Sequence, residues 1–455
     1  MRKSVIVALA GVVAATACAQ LHNVGGALPS SRESFDNLDS SSTRIRHVVI
    51  VVQENRSFDN LFATFPGADG ATEGLMKTSS GDVKIRLKKS PLVMDNLGHQ
   101  HHSFLLEYDD GKMDGFGLVK RVLSKGMKIV KSGRYAYRYA DPGDIRPYWT
   151  MARQYVLADH MFSTQSSSSF TAHQDLIAGG TPIGTDGDNV IDFPTPSAWG
   201  CDAPPGTVTS LITPTGRYLR DKGPFPCFTY RTLRDLLDAK GLLWLYFTNT
   251  TPAHAWNAFD AISAVRYGSQ WQTNIVVPET QIYGTIAAAR LPAVSWVIPD
   301  ALNSDHPSSH SDTGPSWVAS IVNAIGKSPY WTSTAIVVVW DDWGGEYDHV
   351  PPPQIDGQGL GMRVPMLVIS AYAREATPGT PGYLSHTRYS FGSILKFVED
   401  NWKLGRLGTS DSGSKSIGNC FDFEQAPRAF TPIGPKYSQE YFLKRPPSGL
   451  ALDTE

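Results

Sequence analysis

The sequence predicts an α/β fold: one large domain whose mixed but mostly parallel sheet is sandwiched by helices. Three observations carry that expectation. Residues 48–52 are successive β-branched residues with no polar alternation, the pattern of a strand buried on both faces of a parallel sheet. Residues 335–340 repeat the pattern, and both runs stop abruptly at polar groups, Glu54-Asn55 after the first and Asp341-Asp342 after the second. Further along the chain, apolar runs of strand length alternate with helical ones, the ordering of βα units. Ligands of open α/β sheets bind outside the carboxyl ends of the strands, so these polar residues stand where chemistry is expected.

Composition agrees with a globular chain. Its 455 residues are 41% hydrophobic and 11% aromatic, ample for a core, and the net charge of -2 gives no electrostatic case for nucleic acid or an anionic membrane surface. Residues 1–19 read as a secretory signal peptide: Arg2 and Lys3, an apolar run to Ala15, then Ala17-Cys18-Ala19. A lipid anchor at Cys18 is the minor alternative. No segment reaches membrane-spanning length, so no stable membrane span is expected, and the protein is expected to be secreted or periplasmic. Residues 20–44 form a Ser/Asn/Gly-rich linker, and 45–455 form the domain. An oxidising compartment allows one disulfide, for which Cys201 and Cys227 are chosen because the loop between them is rich in Pro, Gly and Thr; Cys420 is then free or buried.

Taken in order, residues 56–65 turn into a short helix, and 67–98 read as polar loop and edge structure. His101 and His102, beside His99, read as a solvated surface pair. A helix begins near Asp144 with proline in its first turn, and Trp149, Ala152, Tyr155 and Val156 recur at helical spacing. The run Ser166-Ser167-Ser168-Ser169 precedes a helix opening around Ala172, so a hydroxyl there shares its anion with free backbone N–H groups, which suits a phosphate-accepting nucleophile. Residues 181–228 are a loop-rich insertion assigned to the rim or lid of a site. A helix at 232–240 leads to strands at 242–247 and 293–298, the second ending at Asn303-Ser304-Asp305-His306. Helix 315–326, strand 335–340, strand 364–370 and helix 389–402, capped by Ser385 or Thr387, complete the chain.

Glu54, Asn55, Asp341 and Asp342 offer oxygen donors that suit a divalent cation; an all-oxygen set favours Mg, Ca or Mn, and an imidazole would reopen Zn. A metal beside a hydroxyl lowers the hydroxyl pKa and neutralises a transferred group, which points to phosphoryl transfer to Ser169 followed by hydrolysis. Histidines nearby would bind the phosphoryl oxygens or protonate the leaving group. No G-x-S-x-G elbow supports an acyl hydrolase.

The stretches HVVIVVQENRSFDNLF, DHMFSTQSSSSFTAHQDLIAGG, SDHP, VVVWDDWGGEYDHVPPP and GMRVPMLVISAYAR resemble a bacterial phosphoesterase family that holds non-haemolytic phospholipases C and secreted acid phosphatases. The resemblance covers roughly residues 47–404 and implies an alkaline-phosphatase-like three-layer sandwich. It implies one divalent metal at Glu54, Asn55, Asp341 and Asp342, a nucleophile at Ser169, and phosphate-binding histidines at His99 and His306, with His254 as a third. The family often has Gly-Pro before the nucleophile and Pro two residues after it; here those positions are Ser167, Ser168 and Thr171, so a more flexible loop is expected, with Ser168 a rival nucleophile. Its second metal acid is often Glu and is here the shorter Asp342. His349 is weighed equally as a site residue and a structural one. The expected activity is hydrolysis of phosphate monoesters of the acid phosphatase type through a phosphoseryl intermediate. The alternatives are a phospholipase C acting on phospholipid diesters, for which Trp199, Trp244, Trp256 and Trp271 could cage choline, and a secreted binding protein without turnover.

Overall fold

The computed structural model describes residues 43–123, 128–183, 189–195, 199–249, 256–355, 358–376, 382–450 and 452. The expected signal peptide and its Cys18 lie outside them, as do nearly all of the linker and His254. Among the described residues no helix is long and apolar enough to cross a membrane.

Eight strands form the central sheet: β1 (His47–Gln53), β2 (Val156–Phe162), β3 (Trp244–Phe247), β4 (Ile275–Val276), β5 (Val294–Val297), β6 (Thr334–Trp340), β7 (Arg363–Ser370) and β8 (Tyr383–Ser385). Their order across the sheet is β4-β3-β5-β1-β6-β7-β2-β8. All neighbours run parallel except β7, which is antiparallel to both β6 and β2. The expected mixed, mostly parallel sheet is therefore observed. The central position of β1 explains its composition: every residue of HVVIVVQ is buried, and each Val or Ile contributes roughly 1.5–3 kcal/mol by leaving water.

Helices pack around the sheet in two groups. Helix α1 (Arg146–Gln154) packs with α4 (Gly314–Gly326), and α2 (Ser169–Ala178) packs with α3 (Leu233–Ala239) and α5 (Phe391–Trp402). Three expectations need correction. Helical spacing through Tyr155 and Val156 does not continue: α1 ends at Gln154, and the next residues are strand β2, which carries Asp159 and His160 at positions that hide its apolar pattern. Helix α5 is capped by Ser390, not by Ser385 or Thr387. His101 is buried with Nδ1 against the Ser166 carbonyl at 2.8 Å, while His102 is exposed as expected.

The insertion at 181–228 contains a four-stranded antiparallel sheet of its own, Pro182–Ile183, Asn189–Thr195, Val208–Ile212 and Tyr218–Leu219. It is stapled by the expected disulfide between Cys201 and Cys227, and Cys420 is buried and free. A smaller apolar cluster, including Leu97, Phe104, Phe116, Trp343 and Tyr347, lies beneath the loop that follows Asp342.

Candidate functional site

The parallel pairing of β1 with β6 builds the site. Register sets Gln53 beside Trp340, and the pairing continues past both strand ends: Asp341 N–H donates to Gln53 O at 2.9 Å and Arg56 N–H to Asp342 O at 2.9 Å. Glu54-Asn55 and Asp341-Asp342 are thereby held side by side at the carboxyl edge, all four fully buried. Asn55 takes the left-handed conformation at φ 58°, and its N–H donates to Asp341 Oδ1 at 2.8 Å. The chain leaves the acids through Gly344 and Gly345, at φ 63° and 71°. A Cβ on Gly344 would lie 2.4 Å from Asn55 O, so this close approach requires glycine. Gly344 N–H donates to Asp342 Oδ1 at 2.7 Å.

Ser169 is the first residue of α2, with Ser168 as the N-cap. Its Oγ–H donates to Asp342 Oδ2 at 3.0 Å and its oxygen accepts from Asn55 Nδ2 at 3.4 Å. Ser168 Oγ makes no hydrogen bond among the described residues, so the structure brings Ser169 rather than its rival to the acids. The expected looseness of the loop is not seen. Ser166 to Ser169 are buried, Ser167 Oγ–H donates to Asp192, and Thr171 Oγ1–H donates to Ser168 O at 2.9 Å, so hydroxyl hydrogen bonds tie down the positions where the family often has Gly-Pro and Pro.

Two of the expected histidines converge here, with ring centroids 6.3 Å apart. His99 donates Nδ1–H to Leu97 O at 2.7 Å, which leaves Nε2 to accept from Asn55 Nδ2 at 2.8 Å, 4.0 Å from Asp342 Oδ2. His306 is opposite in tautomer: its Nδ1 accepts from Ser308 N–H at 3.1 Å, so the neutral ring carries its proton on Nε2. Trp256 stacks on that ring at 5.8 Å. The segment holding His306 is fixed by Arg56, fully buried, whose guanidinium donates twice to Asp305 O, at 3.0 and 2.7 Å. His349 stands apart, bonded to Asp59 at 2.7 Å in a cluster with Asp348 and Arg363.

One residue was missed by the sequence reading. His173, on α2 one turn beyond Ser169, places Nε2 2.9 Å from Glu54 Oε1 and 3.9 Å from Asp341 Oδ2. The only signal was its spacing of four from Ser169, which puts both on one helix face. Ligand atoms of Glu54, His173 and Asp341 all lie within 4.8 Å of one another, whereas Asp342 turns toward Ser169.

The donor set fits a divalent cation. Two buried carboxylates, Glu54 and Asp341, face one imidazole whose pKa burial lowers to about 4, and neither Asn55 Oδ1 nor Asp341 Oδ2 receives a hydrogen bond among the described residues. Burial, reinforced by the charge of Asp341, pushes the Asp342 carboxyl well above the usual range, the repulsion that a bound cation relieves. With His173 in reach the set mixes nitrogen and oxygen, so Zn is admitted beside Mg, Ca and Mn.

The tryptophans do not make a choline cage. Among the described residues they are dispersed: Trp244 packs on Phe259 and Trp296, Trp199 on Phe170 and His173, Trp256 stacks on His306, and the ring face of Trp271 is covered by the Arg266 guanidinium at 4.6 Å.

The model of the family described as "Phosphoesterase family" matches residues 45–405. Among curated proteins, "Non-specific phospholipase C3" of Arabidopsis thaliana is 27% identical, over 74% of this chain and 65% of that protein. "Phospholipase C B" of Mycobacterium tuberculosis is 24% identical, over 78% and 73%. "Non-hemolytic phospholipase C" of Pseudomonas aeruginosa is 24% identical, over 88% and 60%. The chain thus spans about two thirds of the length of the curated relatives it matches. A solved structure described as a protein in the alkaline phosphatase superfamily from Vibrio parahaemolyticus aligns over 84% of this chain and 79% of its own, with 10% identity and a TM-score of 0.36.

Proposed function

Because the chain belongs to the Phosphoesterase family, we propose that it is a phosphoric ester hydrolase working through a phosphoseryl intermediate on Ser169. The observation that carries this is the placement of Ser169 Oγ at a helix N-terminus, with its proton directed at Asp342 Oδ2 and its oxygen against Asn55 Nδ2. Glu54, Asp341 and His173, with Asn55 and Asp342 beside them, are the groups that would hold a divalent cation. Bound there, such an ion acts as a Lewis acid that lowers the serine pKa and neutralises phosphoryl charge.

The chain's own residues supply the remaining steps. Asp342 receives the Ser169 proton as Oγ attacks phosphorus and the ester oxygen departs. The free N–H groups at the start of α2 and the His306 Nε2–H bind the phosphoryl oxygens, whose charge grows in the transition state. The proton that Asp342 takes from Ser169 passes to the departing ester oxygen, and His99, whose Nε2 carries a lone pair, serves as the base toward the hydrolytic water and returns that proton to Ser169. His254, outside the described residues, remains a candidate third contact to phosphate.

We favour monoesters over choline phospholipids. A groove of about 540 Å³, which begins at Gln100 next in sequence to His99, is lined also by His102, Lys120, Phe193, Tyr218 and Arg220, and its basic rim suits an anionic rather than a quaternary ammonium substituent on the substrate. The second reading, phospholipase C, is favoured by the names of the curated relatives. Secretion to an extracellular or periplasmic space is supported by residues 1–19 and by the disulfide.

The test is hydrolysis of p-nitrophenyl phosphate against p-nitrophenyl phosphorylcholine by the purified protein, with and without chelator. Chelator-sensitive turnover of the monoester supports the proposal; preference for the choline diester makes it a phospholipase C. No turnover of either, with metal bound, leaves a binding protein.

A further inference from the structure

A second constellation lies at the edge of the sheet and shares no residue with the proposed reaction centre. Strands β2 and β8 run parallel with Ser385 opposite Ala158, which brings residue 386 beside residue 159. The pairing is carried on by Tyr389 N–H donating to His160 O at 2.9 Å, so the backbone on both sides is fixed. Between them stands the carboxylate of Asp159, fully buried. Its Oδ1 is 2.8 Å from His160 Nδ1 and its Oδ2 is 2.8 Å from His386 Nδ1. One ligand atom from each of the three residues lies within 4.8 Å of the others.

From this geometry we propose that Asp159, His160 and His386 form a zinc-type site, in which Nδ1 of both imidazoles and the Asp159 carboxylate bind one transition-metal dication, with solvent completing the shell. Proton counting supports it. A neutral imidazole has one N–H, yet His160 meets carboxylates at both nitrogens, Asp159 at Nδ1 and Asp69 Oδ2 at Nε2, 3.2 Å away. Without a metal His160 satisfies both carboxylates only as an imidazolium; with its proton on Nε2 alone, as a donor to Asp69, the Nδ1 lone pair faces Asp159 and is open to a cation. A carboxylate that accepts the outer N–H in this way orients a metal-binding histidine and fixes its tautomer. His386 binds likewise with its proton on the outer nitrogen, and the Nδ1 proton of His160 is released to solvent as the metal binds. The carboxylate is anchored from behind by Asp69 N–H, which donates to Oδ2 at 2.9 Å.

Two imidazoles and one carboxylate, with an open position, match the preference of zinc for nitrogen and oxygen in a tetrahedral shell and do not suit Mg or Ca. The side chains of His160 and His386 are 26% and 58% exposed, so the ion has a route in. Arg363 Nη1–H donates to the Asp159 carbonyl at 2.9 Å, while Nε–H donates to Asp348, beyond the glycines that follow Asp342. The ion would therefore clasp the sheet edge behind the loop that carries the reaction-centre acids.

The test reads metal rather than turnover, so it stands apart from the proposed activity. Full-length Asp341→Asn protein, stripped with chelator and titrated with zinc against a chromophoric competitor, isolates this site from the reaction centre. It is expected to bind one zinc per chain, and the D341N/H386A double variant is expected to bind at least about 10-fold more weakly. Equal zinc binding by the two variants, or none by Asp341→Asn, overturns the proposal. His386→Ala alone, changing an exposed side chain, guards against misfolding: it is expected to lose one zinc equivalent and keep its phosphoester turnover, and retention of the full zinc content overturns the proposal. Failure of the reaction-centre reading shows separately, as turnover surviving Asp341→Asn.

Discussion

At the residue scale, the site depends on backbone conformations as much as on side-chain chemistry. Asn55 is a left-handed residue whose carbonyl packs against Gly344, itself left-handed, and this contact aligns the two acid-bearing loops. Gly344→Ala would set a Cβ 2.4 Å from Asn55 O and strain a φ of +63°. It is expected to cost about 1–3 kcal/mol of stability and roughly 10²-fold in turnover, because displacing the loop by a fraction of an ångström misplaces Asp342 against Ser169. Gly413→Ala, whose Cβ would meet nothing within 4 Å, is the control and is expected to change neither by more than about 0.5 kcal/mol. Thermal melts and steady-state kinetics of both variants check this. Glu54, Asn55, Asp341 and Asp342 were legible in the sequence because apolar runs ended on them. His173 and Arg56 were not: their partners come from residues more than a hundred positions away, and the one local mark is the spacing of four between Ser169 and His173.

At the element scale, continuous apolar runs announced β1, β3, β5, β6 and β7, whose residues need only be hydrophobic and β-branched to fill the middle of the sheet. Strand β2 escaped because Asp159 and His160 interrupt its pattern and because it follows a helix without a clear stop. The sheet inside the insertion escaped for another reason. Its strands are short and bounded by Pro and Gly, so their pairing is decided by hydrogen bonds across the unit rather than by local composition. The disulfide spans a sequence separation of 26 in that unit, which corresponds to about 3–4 kcal/mol of chain-entropy stabilisation. Cys227→Ser is expected to raise proteolytic cleavage within 181–228 by roughly 10²-fold while leaving the central sheet intact. Mass spectrometry of a timed digest would show this, and an unchanged digest would mean that the insertion is held by its packing alone.

At the scale of the whole molecule, buried acids outnumber buried bases among the described residues, and this sets how stability responds to pH. Burial raises Asp260 and Glu279 to about 8 and Glu399 to about 7, with neighbouring acids adding to each shift. The folded chain thus holds protons that the unfolded chain releases at ordinary carboxyl values. The stability from these groups is complete at low pH and is lost as pH rises through 7 to 8. Burial holds His47 and His173 near 4, which acts in the opposite sense, but their contribution levels off above the ordinary histidine value of 6.5. Burial lowers the His349 imidazole, but its hydrogen bond to Asp59 and the charges of Asp59 and Asp348 together outweigh that and raise it, so it adds to the loss above 6.5. Metal-free protein is therefore expected to melt lower at about pH 8.5 than at about pH 6.5, by roughly 2 °C or more. A flat or rising melting temperature across that window would show that these carboxyls ionise without penalty.

The central claim, that Ser169 carries the phosphoryl group, is tested most directly by mixing enzyme with a phosphate monoester, quenching in acid during turnover, and locating phosphate by peptide mass spectrometry. Phosphoserine is expected at Ser169, retained in Ser168→Ala and absent from Ser169→Ala, which should lose at least about 10³-fold in turnover. Phosphate on Ser168, or full turnover by Ser169→Ala, would contradict it.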